Sequence, residues 1–438
     1  MNFRKLSAIA GVSMLVFGAC TTPAASTKPA GSGGSGAAIV PSTPAPAADV
    51  SKGKVKLAIE LPQQGSEKAA SDPIINGIKL AVKLAGGGAG GYGIDIPQSA
   101  IYDDALNGAH DPQTGANNMS KIVADADVIA VIGPLNSSVA KAQIPISNDG
   151  GVLQCSPANT NPDLTKGAPA AQIRTKPNNY IRVVTTDDVQ GPAAAQYIYD
   201  VLKKKSVYVI DDTETFGKGV ADAFAAEFTK RGGTVVKHDA APKTTQDYVS
   251  IMTAAKALNP ESIYFGGVTA TGGARILLAA QQAGLADVPY VGPDGINDGS
   301  GETKDSFLNL GATAAKNAYS TLAGIGDFPG KAQFNADYKA EYGIDPTGYA
   351  GTGFACAQVV IDALKRAGAA AADKSALREA VRVAGTDTAA KYTTIVGEIT
   401  FDANGDTSQK IVSIYSVDQT AANGKGDWKF ETQVDYGK

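Results

Sequence analysis

The run Asp127-Val128-Ile129-Ala130-Val131-Ile132-Gly133-Pro134-Leu135-Asn136-Ser137-Ser138 is continuously apolar through its first half and turns polar within four residues. A short, β-branched apolar stretch of this kind fits a strand buried on both faces of a parallel sheet. Gly133 and Pro134 end it. Ser137 and Ser138 then place hydroxyls at the start of a helix, just beyond the carboxyl end of the strand. The next apolar run, Val152 to Cys155, ends in the same way, in Ser156-Pro157-Ala158-Asn159-Thr160. Ligands of open α/β sheets sit beyond such strand ends. A helix N-terminus with free N–H groups and hydroxyls favours an anion there.

Working outward, the same alternation fills the chain from Lys54 onward. Strand candidates are Val55 to Leu61, Val207 to Ile210, Thr234 to Lys237, Ser262 to Phe265, Pro289 to Val291 and Ala318 to Leu322. Helical patterns lie between them, such as Pro73 to Leu84, Pro112 to Val123, Val189 to Lys203, Gly217 to Lys230, Lys331 to Tyr342 and Thr352 to Ala367. Pro73 and Pro112 are each expected in the first turn of a helix, where the missing N–H is harmless. The alternation predicts an α/β fold with parallel sheets covered on both faces. Glu398 to Val417 is expected as strands around an Asn404-Gly405-Asp406 turn. An ending of that kind suggests a chain that crosses back between two lobes.

Length and composition narrow the function. The 438 residues suit two or three domains, and a net charge of −4 gives no general attraction to phosphate backbones, so no nucleic-acid partner is expected. Two histidines and three cysteines argue against a metal centre or a disulfide scaffold, and no cofactor is expected. Gly88-Ala89-Gly90-Gly91-Tyr92-Gly93 has the spacing of a dinucleotide fingerprint, but it follows a helix and leads into Ile94-Asp95-Ile96. A glycine-rich surface turn is the better reading. His110 and His238 are expected as structural or surface residues, His110 in a loop. Cys155 and Cys356 both lie in apolar patterns, so two buried thiols are expected; an oxidising compartment also allows a disulfide. No base accompanies Ser137 for nucleophilic catalysis, so the chain is not expected to be an enzyme.

The N-terminus carries an address. Arg4 and Lys5 precede an apolar run from Leu6 to Ala19, too short to span a bilayer and suited to a secretory signal peptide (residues 1–19). Phe17-Gly18-Ala19-Cys20 resembles the lipobox of bacterial lipoproteins, which implies lipidation of Cys20. Residues 20–53, dominated by Ala, Gly, Ser, Thr and Pro, are expected as a flexible tether with a reach of about 30 Å.

The strand-end loops also carry a family resemblance. Val131 to Ser138 and Ser156 to Leu164, with Tyr102-Asp103-Asp104, Asp187 to Pro192, Ile210 to Gly219, Tyr264 to Gly267 and Val291 to Gly295, resemble the leucine/isoleucine/valine-binding proteins of bacterial ABC importers, in family order. The resemblance implies two Rossmann-like lobes with parallel central sheets, joined by three crossovers at a hinge (the type I periplasmic binding fold). It implies lobe 1 at 54–185 and 322–400, and lobe 2 at 186–321 and 401–438.

By position, Ser137 and Thr160 would hold a ligand α-carboxylate, and the Ala158 carbonyl and Asp294 would hold its α-ammonium. Phe216 would form an aromatic wall. Asn159, Asp187 and Val268 would stand in the same region. Asp294 replaces a longer glutamate, Val268 a frequent tyrosine, and the Ala69-Ala70 loop lacks another. A pocket wider or less aromatic than a leucine site follows. Four or five charged hydrogen bonds of about 1.5–3 kcal/mol each, less ordering costs, fit micromolar affinity.

The expected function is thus a monomeric extracytoplasmic lipoprotein. It would bind an amino acid or related zwitterion and deliver it to an ABC permease and ATPase, touching the membrane only through its lipid. The alternative is a sensor of the same fold for an amide, a urea-like solute or a short peptide.

Overall fold

The computed structural model describes residues 44–369, 371 and 373–437. The signal peptide, Cys20 and residues 20–43 of the expected tether lie outside the described residues. The last part of that tether is bound to the folded body. The N–H groups of Ala45, Ala48 and Lys52 donate to the carbonyls of Leu84, Gly86 and Gly91 at 2.8–2.9 Å. Small-residue composition hid this docking, because most of the contacts are made by backbone, with the Lys52 ammonium on the Gly368 carbonyl in addition. No helix of the described residues is long and apolar enough to cross a membrane.

Two sheets organise the molecule. In the first, the strand order is Gly88–Ala89, Tyr92–Asp95, Lys54–Glu60, Val128–Ile132, Leu153–Ser156 and Tyr180–Arg182, with Ile101–Tyr102 also pairing with Lys54–Glu60. All of these pairings are parallel except the Gly88–Ala89 hairpin with Tyr92–Asp95. The glycine-rich run is therefore a hairpin turn, as expected. In the second sheet, Thr234–Ala240, Ser206–Asp211, Ser262–Gly266, Tyr290–Gly292 and Ala318–Leu322 run parallel in that order. Two antiparallel strands, Ile411–Asp418 and Asp427–Asp435, close its edge.

Burial explains why the deciding run forms a strand. All five residues of Val128–Ile132 are at most 1% exposed. Full burial of such side chains is worth about 1.5–3 kcal/mol each. Helices Glu67–Leu84 and Ala350–Gly368 pack on this sheet in a core that also takes in Leu322, Phe334, Tyr338, Val381, Tyr392 and Phe401. The chain thus leaves the first lobe after Tyr180–Arg182 and returns to it after Ala318–Leu322. It leaves again after Phe401. The Thr185 N–H donates to the Ala323 carbonyl at 3.2 Å, tying the first two crossings together.

Three expectations need correction. Helix Glu67–Leu84 starts six residues before Pro73, which lies inside it; Pro112 does open its helix, capped by Asp111, whose carboxylate accepts from the Thr114 N–H at 2.7 Å. The turn at Asn404-Gly405-Asp406 is present, with the Gly405 N–H on the Asp402 carbonyl, but a single bridge, Phe401 to Thr407, flanks it. Ile411–Asp418 pairs instead with Ala318–Leu322 and Asp427–Asp435. The turn works as an anchor for the third crossing. Buried Arg182 pairs with Asp406 at 2.7 Å, and a Cβ on Gly405, at φ +90°, would meet the Tyr180 carbonyl at 2.0 Å.

The third correction concerns the cysteines. Cys155 and Cys356 form a disulfide, with Cα atoms 5.9 Å apart across 201 residues of sequence. Strand Leu153–Ser156 and helix Ala350–Gly368 share the first core, so packing brings together two apolar positions that sequence distance separates.

Candidate functional site

At the carboxyl end of the first sheet, two loops lie side by side. Gly133 leads the chain out of its strand at φ +135°; a Cβ there would meet the Glu60 carbonyl at 1.9 Å. Only glycine fits this approach. Ser137 then opens the helix Ser137–Asp149. The second loop is shaped by Ser156, whose hydroxyl accepts from the N–H groups of Ala158 and Asn159 at 3.2 and 2.8 Å. Asn159 joins the loops: its Nδ2 donates to the Leu135 carbonyl at 2.8 Å, and its Oδ1 accepts from the Tyr180 hydroxyl at 2.9 Å.

The second sheet supplies the opposite wall. Asp294 follows strand Tyr290–Gly292 and is buried, with 7% exposure. Its Oδ1 accepts from Gln190 Nε2 at 2.6 Å, and its Oδ2 accepts from the Tyr349 hydroxyl. Burial pushes this carboxyl up to about 6, partly offset by those two donors. Phe216, in the first turn of helix Thr215–Lys230, packs with Val220 and Val268.

Between these walls is a cavity lined by Ser137, Ala158, Thr160, Phe216, Val268 and Asp294 together with Glu67, Ala70, Leu135, Asn136, Thr269, Gly295, Asn297, Asp298 and Tyr349. Six of the eight residues singled out in the sequence for ligand contact thus meet at one cavity. Asn159 does not line it, because its side chain is spent bracing the two loops. Asp187 does not line it either. It opens helix Asp187–Gln196, its N–H donates to the Thr160 carbonyl at 2.9 Å, and burial followed by the charge of Asp294 holds its carboxyl well above the usual range. Ala69 and Ala70, expected in a loop, belong to helix Glu67–Leu84.

Sequence reading missed Glu67, Asn136, Thr269, Asn297, Asp298 and Tyr349. Glu67 is bound on both oxygens: Oε2 accepts from the His110 N–H at 2.7 Å, and Oε1 from Asn136 Nδ2 at 2.7 Å, with His110 Nδ1 at 2.8 Å. His110 is therefore no surface loop residue but 3% exposed, on the short strand Ala109–His110. Burial works against its charge, yet Glu67 and Glu214 together push it up to about 10. Its Nε2 lies 3.9 Å from Glu214, whose other oxygen is 3.3 Å from Lys243 Nζ. Glu214 directly precedes helix Thr215–Lys230, which packs on the second sheet. This charged row spans the two walls, as do the bonds from Tyr349 to Asp294 and from Asn161 Nδ2 to the Thr215 carbonyl at 2.7 Å. The lobes are closed on the cavity.

Hydroxyls and a helix N-terminus on one wall and a buried carboxylate on the other suit a small zwitterion. Among the described residues, no group of three or more His, Cys, Asp or Glu side chains is placed to hold a metal ion.

Known proteins share this architecture. The profile of the periplasmic binding protein family matches residues 54–425. A Leu/Ile/Val-binding protein of Rhizobium johnstonii is 29% identical over 82% of this chain and 91% of its own length. The crystal structure of a leucine-binding protein from Thermotoga maritima, 26% identical, superposes with a TM-score of 0.73 over 87% of this chain and 99% of that one. A solute-binding protein of an ABC transporter from Rhodopseudomonas palustris, in complex with 3,4-dihydroxybenzoic acid, has the same fold at 20% identity and a TM-score of 0.69, over 87% of this chain and 97% of that one.

Proposed function

Because the chain belongs to the periplasmic binding protein family, we propose that it captures an α-amino acid between its lobes and presents it to the permease and ATPase of an ABC importer. The observation that carries this reading is the pairing of Ser137 and Thr160 on one wall with Asp294 on the other, around a single cavity. The Ser137 and Thr160 hydroxyls, with backbone N–H groups, hold the α-carboxylate. Asp294 and the Ala158 carbonyl hold the α-ammonium, and Phe216 and Val268 pack against the ligand body.

Contacts divided between lobes make the ligand bind the closed form better than the open one, and that difference drives closure about the hinge. The protein acts as a binding partner, without catalysis and as a monomer. Relatives named for leucine, isoleucine and valine binding support this ligand class. Lobe 1 comprises residues 54–185 and 322–400, and lobe 2 comprises 186–321 and 401–438. Cys20 carries a lipid that holds the protein on the outer side of the membrane.

A thermal-shift screen tests the ligand class. The purified protein, unfolded and refolded to strip carried-over ligand, is heated with α-amino acids, with their deaminated acids and with small amides. Ligands that bind only the native state raise the melting temperature by mass action. Shifts confined to α-amino acids support the reading. Shifts from the deaminated acids or simple amides alone replace it with another solute on the same fold.

A further inference from the structure

Once the α-carboxylate and α-ammonium are assigned, polar groups on the cavity wall are left over. Asn136 bonds Glu67 through Nδ2, but its Oδ1 is buried without a partner. Asn297 presents a buried Nδ2 that also has none. Both residues are more than nine-tenths buried, with 6% and 7% exposure. Asp298, on the same loop as Asn297, accepts from the Phe307 N–H at 2.8 Å and from the Thr269 hydroxyl, and its carboxylate lone pairs have room for one more donor. No lysine or arginine lines this cavity. Glu67 is already neutralised by His110 behind it.

A branched aliphatic side chain would leave Asn136 Oδ1 and Asn297 Nδ2 dry and unpaired. Each orphaned buried polar group weakens binding, because its lost hydration is not replaced. The leftover set instead offers acceptors, Asn136 Oδ1 and Asp298, together with a donor, Asn297 Nδ2. That is the complement of a group carrying N–H donors and a carbonyl side by side. We propose that the cavity selects an α-amino acid whose side chain ends in a carboxamide or ureido group, read by Asn136, Asn297 and Asp298. This rests on the amino-acid reading of the site and narrows its ligand. Phe216, Val268, Leu135 and Ala70 supply the apolar contact for the methylene part of such a side chain.

The test is calorimetric titration of the refolded protein with asparagine, glutamine and citrulline against leucine, isoleucine, valine, ornithine and lysine. At least one of the first three is expected to bind tenfold or more tightly than every other. A site built around hydrogen-bonding groups rejects ligands that lack the matching atoms by large factors. Asn297→Leu is expected to weaken the preferred ligand at least tenfold and to strengthen leucine. The melting temperature of the empty variant reports that it is folded. Tightest binding by leucine, isoleucine or valine, or by ornithine or lysine, overturns the proposal and leaves the amino-acid site standing. So does an equal loss of all ligands in a folded Asn297→Leu. Failure of every α-amino acid in the panel overturns both.

Discussion

Asp294→Asn isolates the electrostatic contribution of the second lobe with little change of shape. The Asp294 carboxylate is buried, held by Gln190 Nε2 at 2.6 Å and by the Tyr349 hydroxyl, and it faces the cavity. The carbonyl of the asparagine keeps one of these bonds and the tyrosine hydroxyl can turn to accept from the new amide, so the loop holds its position. What is lost is the negative charge proposed to face the ligand ammonium. Removing one partner of a buried, hydrogen-bonded charge pair costs about 2–5 kcal/mol. At 1.36 kcal/mol per decade, that is a weakening of roughly 30-fold to a few thousand-fold. The lower end is expected, because the asparagine carbonyl still accepts one ammonium hydrogen.

The pH dependence gives a second readout. Burial holds the Asp294 carboxyl up at about 6. Only its ionised form pairs with the ammonium, so wild-type affinity should fall about tenfold per pH unit below 6. Asp298, held at about 7 chiefly by burial, titrates in the same window, so the comparison with Asp294→Asn is what assigns the effect. Because the folded-state value lies above the unfolded one, ionising Asp294 costs stability as pH rises through this range. The empty variant should therefore melt at or above the wild-type temperature at pH 7. Calorimetric titration at pH 5, 6, 7 and 8 reads the affinities. Equal affinity for α-amino ligands in variant and wild type, or the same acid loss in both, would refute the ammonium assignment.

Further predictions concern the other wall and the core. Ser137→Ala or Thr160→Ala should weaken the ligand several-fold by calorimetry, with the melting temperature of the empty protein nearly unchanged; unchanged affinity removes that residue from the site. Burial pushes the Glu60 carboxyl up, and the buried Asp104 carboxyl beside it is held up as well, so the proton this pair holds stabilises the fold fully below the ordinary carboxylate range and that contribution is lost as pH rises. Glu60→Gln should therefore melt higher than wild type at pH 8 and nearly equal to it at pH 5; a lower melting temperature at pH 8 contradicts the assignment. Reducing the Cys155–Cys356 bond opens a loop of 201 residues, for which chain entropy gives a loss of up to about 5 kcal/mol. A denaturant midpoint unchanged by reductant, with free thiols confirmed by titration, would show that folding holds these segments together without the bond.

Much of the fold was legible because burial on both faces of a parallel sheet demands continuous apolar runs. Val128–Ile132 and Ser262–Gly266 show such runs without ambiguity. Ser137 and Thr160 were legible for a related reason: strand ends are where hydroxyls and N–H groups become free. The terminal strand Asp427–Asp435 was invisible, since an edge strand only half-buried along most of its length keeps a mixed, polar sequence. Pro73 misled because proline marks the first turn of many helices, yet this helix packs tightly enough to carry one inside. Tyr349, Asn136 and Glu67 lie on segments far from Asp294 in sequence, and only closure of the lobes gives them a common cavity. His110 carries no sequence sign of the two glutamates that hold its charge, because one of them, Glu214, comes from the opposite lobe.

The most direct test of the central claim uses one side chain in three forms: the α-amino acid found to bind, its deaminated acid and its decarboxylated amine, each titrated into the refolded protein. If Ser137 and Thr160 hold the carboxylate while Asp294 holds the ammonium, the amino acid binds in the micromolar range and both truncated forms bind at least a hundredfold more weakly. Equal binding of the deaminated acid would contradict the account, for it would show a cavity that reads the carboxylate and ignores the charge on its other wall.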